Sequence, residues 1–138
     1  MILEVTVAAT ADTSLTGNRF RCGGREVARL QGAFNVLGGL WPLISIRTFE
    51  AVYGPKVDRW LEYTVAGLLV TVGAAQATAR TDEQVRLARI LGVGTAATLL
   101  AVDVIYVPTG RIRRTYLQDA LCESAWLAAW WRARYRDR

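Results

Sequence analysis

Residues Ile90–Gly110 read ILGVGTAATLLAVDVIYVPTG, with no lysine or arginine and a single charge, Asp103. Arg89 and Arg111 stand directly on either side. Three further stretches repeat the pattern: Leu30–Ile46, Trp60–Ala79 and Thr115–Trp131, each also bracketed by arginines. All 17 lysines and arginines of the chain fall outside these four stretches. The only charges inside them are acidic: Glu62, Asp103, Asp119 and Glu123. A hydrocarbon core about 30 Å thick is crossed by roughly 17–25 residues of helix, and each stretch falls within that length. The spacing therefore predicts an all-α fold, a four-helix transmembrane bundle running up-down-up-down.

A soluble bundle would put a polar face on each helix, renewed every three or four residues. Ala66–Gln76 and Gly92–Val102 offer no charged residue over two to three turns. Four helices that are apolar all round cannot all be central in 138 residues, so lipid is the expected surrounding.

The predicted spans are about 27–46, 57–79, 83–107 and 111–134, within a domain covering 25–138. Residues 1–24 lack both a basic start and a long apolar run, so they do not read as a signal peptide. They are rich in Ser, Thr and Gly and are expected to be disordered or loosely ordered. Between the first two spans, Phe49, Val52, Tyr53 and Val57 recur at near-helical intervals, which predicts a short amphipathic segment at headgroup level. Gly54-Pro55 should end it, and Thr81 or Asp82 should cap the third span. Gln31, Asn35, Gly38 and Pro42 share a helix face; Gly67, Thr71, Gly73, Ala74 and Ala75 are the expected packing residues of the second span. The third carries Gly92 and Gly94.

Eleven lysines and arginines flank the predicted side that holds both termini and the second-to-third loop; six flank the other. The positive-inside rule then predicts a multi-pass cell-membrane protein with both termini cytoplasmic. Trp41, Tyr53, Trp60, Tyr63, Tyr106 and Tyr116 fall near the outer ends, and Trp130, Trp131 and Tyr135 near the inner end, as interfacial aromatics should. The net charge of +5 is carried mainly by arginines beside apolar stretches, which suits anionic headgroups. No continuous basic and aromatic face of the kind that binds nucleic acid is visible. The chain has no histidine, which removes His-based triads, the usual zinc sites and His-ligated haem. No metal or cofactor is expected. Cys22 and Cys122 lie in unlike settings and read as free thiols.

Alternate threading places Glu62, Asp103, Asp119 and Glu123 in the outer half of the membrane. Asp119 and Glu123, at i and i+4, share a face with Tyr116, Trp126 and Trp130. One reading is a polar pocket in which Asp103, Asp119 and Glu123 act with Tyr116, Tyr106 and Asn35 on a ligand or a proton. Carboxylates crowded in a low dielectric cannot all ionise comfortably. The other reading is structural: Asp103 and Glu62 pair with Arg59, Arg111, Arg113 or Arg114, while Asp119 and Glu123 bond across helices to Asn35, Gln31, Thr or Tyr.

Phe49-Glu50, Gly54-Pro55-Lys56, Asp58 and Trp60-Leu61, followed later by Asp103, Tyr116-Leu117, Asp119-Ala120 and Glu123, resemble a pattern found in small four-helix bacterial integral membrane proteins. In those an F-E…G-x-K-x-D-x-W-L loop leads into the second helix, and D…Y-L-x-D-A-x-x-E follows. The resemblance spans about Leu30 to Trp131 and implies weight on Asp58, Asp103, Asp119 and Glu123, whereas Glu62 stands where an apolar residue is implied. It makes Phe49, Glu50, Gly54, Pro55, Lys56, Asp58 and Trp60 an interface loop, and it implies no particular activity. The likeness to DoxX-type or sterol-isomerase-like bundles is one of architecture alone. Three functions follow in order: a structural, interaction or small-ligand-binding bundle that is not an enzyme; a proton-coupled or cation-binding transport component; a lipid-modifying enzyme. The bilayer is the expected partner, and a lipid or small-molecule ligand and oligomer formation are compatible with it.

Overall fold

A computed structural model describes residues 23–136, and the described residues are all-helical, without strands. The elements are α1 (Gly24–Ile44), α2 (Ile46–Tyr53), α3 (Arg59–Ala77), α4 (Asp82–Tyr106) and α5 (Tyr116–Arg136). The loose segment expected over residues 1–24 lies almost wholly outside this range; Gly24 itself already opens α1.

Local chemistry sets the boundaries. Thr81 caps α4 through a full capping box, its hydroxyl accepting from the Gln84 amide while the Gln84 side chain accepts from the Thr81 amide. Ser45 separates α1, the first expected span, from α2, which falls within the expected amphipathic segment, and Gly54 ends α2 at φ 93°, a backbone conformation that suits a residue without Cβ. The fourth helix begins at Tyr116, not near Arg111, because turns occupy the intervening residues, with Gly110 at φ 70°.

α1 and α3 pack most extensively, in antiparallel register. A Cβ added to Gly32 would lie 2.5 Å from the Ala77 amide nitrogen and 2.6 Å from the Gly73 carbonyl oxygen. Gly39 meets the Ala66 carbonyl oxygen in the same way. α4 and α5 form the second pair, and α1 touches both. Of the small residues expected at helix contacts, Gly73 and Gly92 are enclosed, whereas Gly38, Gly67 and Gly94 face open space and Thr71, Ala74 and Ala75 are exposed.

The interior is unusual in composition. A small apolar cluster of Val27, Ala28, Ala79, Ala88, Trp130 and Ala133 fills the end nearest Gly24. Beyond it the buried side chains include Gln31, Asn35, Gln76, Asp103 and Glu123. The outside carries Leu37, Ile44, Leu68, Ile90 and Leu121, each more than half exposed. By length and composition, one helix among the described residues, α4, is long and apolar enough to cross a membrane. In α1 and α3, by contrast, Gln31, Asn35 and Gln76 lower the mean hydropathy, and these are residues the packing encloses.

Gly32→Ala should lower the unfolding free energy by about 1–3 kcal/mol, because backbone must shift to admit the methyl group, even though alanine favours helix by about 1 kcal/mol. Gly38→Ala meets nothing within 4 Å and should be neutral or stabilising. Denaturation followed by circular dichroism separates the two signs.

Candidate functional site

One hydrogen-bonded cluster joins all four long helices. The Gln31 carboxamide on α1 donates to the Gly92 carbonyl oxygen on α4 at 3.0 Å. Its oxygen accepts from the Trp130 indole N–H on α5 at 2.7 Å and from the Gln76 amide on α3 at 2.9 Å. Gln76 also donates to Ala88 O, and its own oxygen accepts from Asn35 at 2.8 Å. Gly92 has to be glycine here: a Cβ would run into the side-chain tips of Gln31, Gln76 and Trp130. Gln31 and Asn35 are thus committed to Gln76, Gly92 and Trp130 and are not the partners of the acids. Asn35 belongs to this amide cluster.

The carboxylates lie nearer the other end. Asp103 on α4 is 2% exposed and Glu123 on α5 is fully enclosed. Asp103 Oδ2 and both carboxylate oxygens of Glu123 are buried without a hydrogen-bond partner among the described residues. Asp119, one turn from Glu123, is half-buried, and its charge acts on both Asp103 and Glu123. The three acids therefore share one electrostatic environment. Among the described residues no arginine pairs with them: Arg59 is taken by Glu50, and Glu62 pairs with Lys56 at 3.6 Å.

A polar and aromatic layer covers this end. Lys56 Nζ donates to the Tyr116 hydroxyl and lies over the Tyr116 ring, 4.8 Å from its centroid. Tyr53 packs on Tyr116 with centroids 4.7 Å apart, and on Phe49 and Trp41 behind it. Burial pushes the Tyr53 phenol above its ordinary pKa, and the charges of Asp119 and then Tyr116 add to the shift. Thr115 and Arg113 donate to the carbonyl oxygens of Val52 and Ala51, which ties α2 to the start of α5.

Glu50 holds the loop before α3. It accepts two bonds from Arg59, at 2.9 and 2.8 Å, and one from the Lys56 amide. The Arg59 hydrogen bond, then that of the Lys56 backbone, keeps the Glu50 carboxyl below the usual carboxylate range. Its folded pKa is depressed, so this contribution is complete near neutral pH and fades as the pH falls through that range.

Of the residues expected at the pocket, Asp103, Asp119, Glu123 and Tyr116 come together; Tyr106 is exposed and shows no bond into the cluster. In the expected interface loop Phe49 is buried, and Glu50, Gly54 and Lys56 are structurally engaged. Pro55, Asp58 and Trp60 are exposed, and the Asp58 side chain makes no cap bond to α3. Gln76, and Lys56 as the cation over Tyr116, are the members that spacing alone does not disclose. Cys122 is a free, exposed thiol, while Cys22 lies outside the described residues. Among the described residues no three His, Cys, Asp or Glu side chains are grouped to hold a metal ion. No protein-family model, curated protein or solved structure matches the chain.

A buried carboxylate without a partner costs stability, so Glu123→Met, which fills similar volume without the charge, should raise the unfolding free energy by about 1–4 kcal/mol. A structural carboxylate would give the opposite sign in the same denaturation experiment.

Proposed function

We propose that the chain is an integral membrane four-helix bundle whose outer half holds a proton-binding site formed by Asp103, Asp119 and Glu123. The observation that carries the site is the burial of three carboxylate oxygens, on Asp103 and Glu123, without partners. Charges in so dry a place are held only when neutralised, and intramembrane acids commonly lie on ion or proton pathways. The acids act on one another electrostatically, and among the described residues no three are grouped to hold a metal ion, which favours a proton over a metal cation. Lys56, Tyr116 and Tyr53 form the covering layer through which such an ion would pass.

The membrane reading rests on the inversion of polarity, with amides and carboxylates inside and Leu, Ile and Val outside. Exposed hydroxyls support it. Thr64, Thr71, Thr98 and Ser124 each donate to the carbonyl oxygen four residues earlier, at 2.8–3.0 Å, and so need no water. The likeness of the Phe49–Leu61 loop and of the later acids to small four-helix bacterial membrane proteins points the same way. The arginine asymmetry puts both termini in the cytoplasm and the acids toward the outer face.

Two experiments test this. The full chain should stay with the membrane pellet through alkaline carbonate washing; release into the supernatant would count against the bundle. In proteoliposomes loaded with a pH-sensitive dye, the wild type should collapse an imposed proton gradient faster than protein-free vesicles. Asp103→Asn and Glu123→Gln, with helix content retained, should bring the rate down to that of empty vesicles. Unchanged flux in both variants would remove the acids from any such pathway.

A further inference from the structure

The end opposite α2, where α1 and α4 begin, contains a cavity of about 730 Å³ among the described residues. Its lining carries four guanidinium groups, on Arg25, Arg86, Arg89 and Arg134, against one carboxylate, Asp82. Arg25 and Asp82 pair with each other at 3.6 Å, both largely exposed. That leaves Arg86, Arg89 and Arg134 without an acidic partner within 4 Å among the described residues. α4 and α5 contribute these three groups to one concave wall, α1 adds Arg25, and the buried Trp130 also lines it. Leu30, Leu87 and Ile90 are exposed on α1 and α4 close to the arginines, so an apolar surface adjoins the basic opening.

We propose that this cavity binds a phosphate monoanion or dianion, carried by an anionic phospholipid headgroup or free in solution. Guanidinium groups present paired N–H donors that match phosphate oxygens two at a time, and three of them are uncommitted. The starting ends of α1 and α4 add partial positive charge, with Gly23 offering no side chain to cap α1. The adjoining leucines and isoleucine would accept acyl chains if the phosphate belongs to a lipid. The site is separate from the acidic pocket, and it stands or falls independently of it.

The full chain in maltoside micelles provides the test, with tryptophan fluorescence reporting from Trp130. Titration with phosphatidylglycerol, and separately with inorganic phosphate, should give a saturable change that phosphatidylcholine does not. Arg86→Gln/Arg89→Gln should weaken binding about 30-fold, near tenfold or less for each charge lost. Arg111→Gln/Arg114→Gln, at the far end, should leave it unchanged. A response to inorganic phosphate alone identifies free phosphate as the source, and a response confined to phosphatidylglycerol identifies the headgroup; either supports the site. If the double variant loses its helical signal, Arg134→Gln takes its place, with several-fold weaker binding expected. Wild-type affinity in the arginine variants that fold, or an equal response to phosphatidylcholine, would overturn the proposal.

Discussion

The Gln31 carboxamide is the point on which the arrangement of helices turns. Its two polar atoms reach α3, α4 and α5 at once, through Gln76, Gly92 and Trp130. Hydrophobic burial alone does little to fix helix register where so many leucines, isoleucines and valines stand exposed. Directional bonds and close backbone contacts do so instead. The glycines at 32, 73 and 92 serve the same end, since two bring the α1 and α3 backbones together and the third leaves room for the amide cluster.

This division of labour explains the placement of the acids. Near Gln31 every amide finds a partner, and that part of the interior is satisfied. Toward α2 the partners run out, and Asp103 Oδ2 and both carboxylate oxygens of Glu123 are buried without hydrogen bonds among the described residues. The polar interior thus has a half whose polar groups are paired and a half with three carboxylate oxygens left unpartnered among the described residues. Lys56, the nearest ammonium group to this region, is occupied by Glu62 and Tyr116. Positive charge is plentiful at the opposite end, where four arginines meet one carboxylate, Asp82, among the described residues.

Much of this was legible in the chain, and the reasons differ by residue. Uninterrupted stretches between arginines mark four long helices, because charge is excluded from their interiors. Gly54-Pro55 and Thr81 mark boundaries through backbone chemistry alone. Spacing also places Asp119 and Glu123 on one face with Tyr116 and Trp130. The partners of Gln31 were not legible, since periodicity identifies a face but not the helix opposite it. Spacing likewise groups Gly38 with Gln31 and Asn35, yet Gly38 faces open space and its neighbour Gly39 meets α3. Tyr106 shows the limit from the other side: it lies three residues from Asp103 but points outward.

The central claim is the inversion itself, a polar interior within an apolar exterior that we propose faces lipid. Spin labels placed one at a time at Leu37, Leu68, Ile90 and Leu121, with Cys122→Ser removing the exposed native thiol, measure it in reconstituted bilayers. Collision with oxygen, which concentrates in lipid, should be high at each site, and collision with a water-soluble nickel chelate low. Strong quenching by the nickel chelate across these positions would contradict the account.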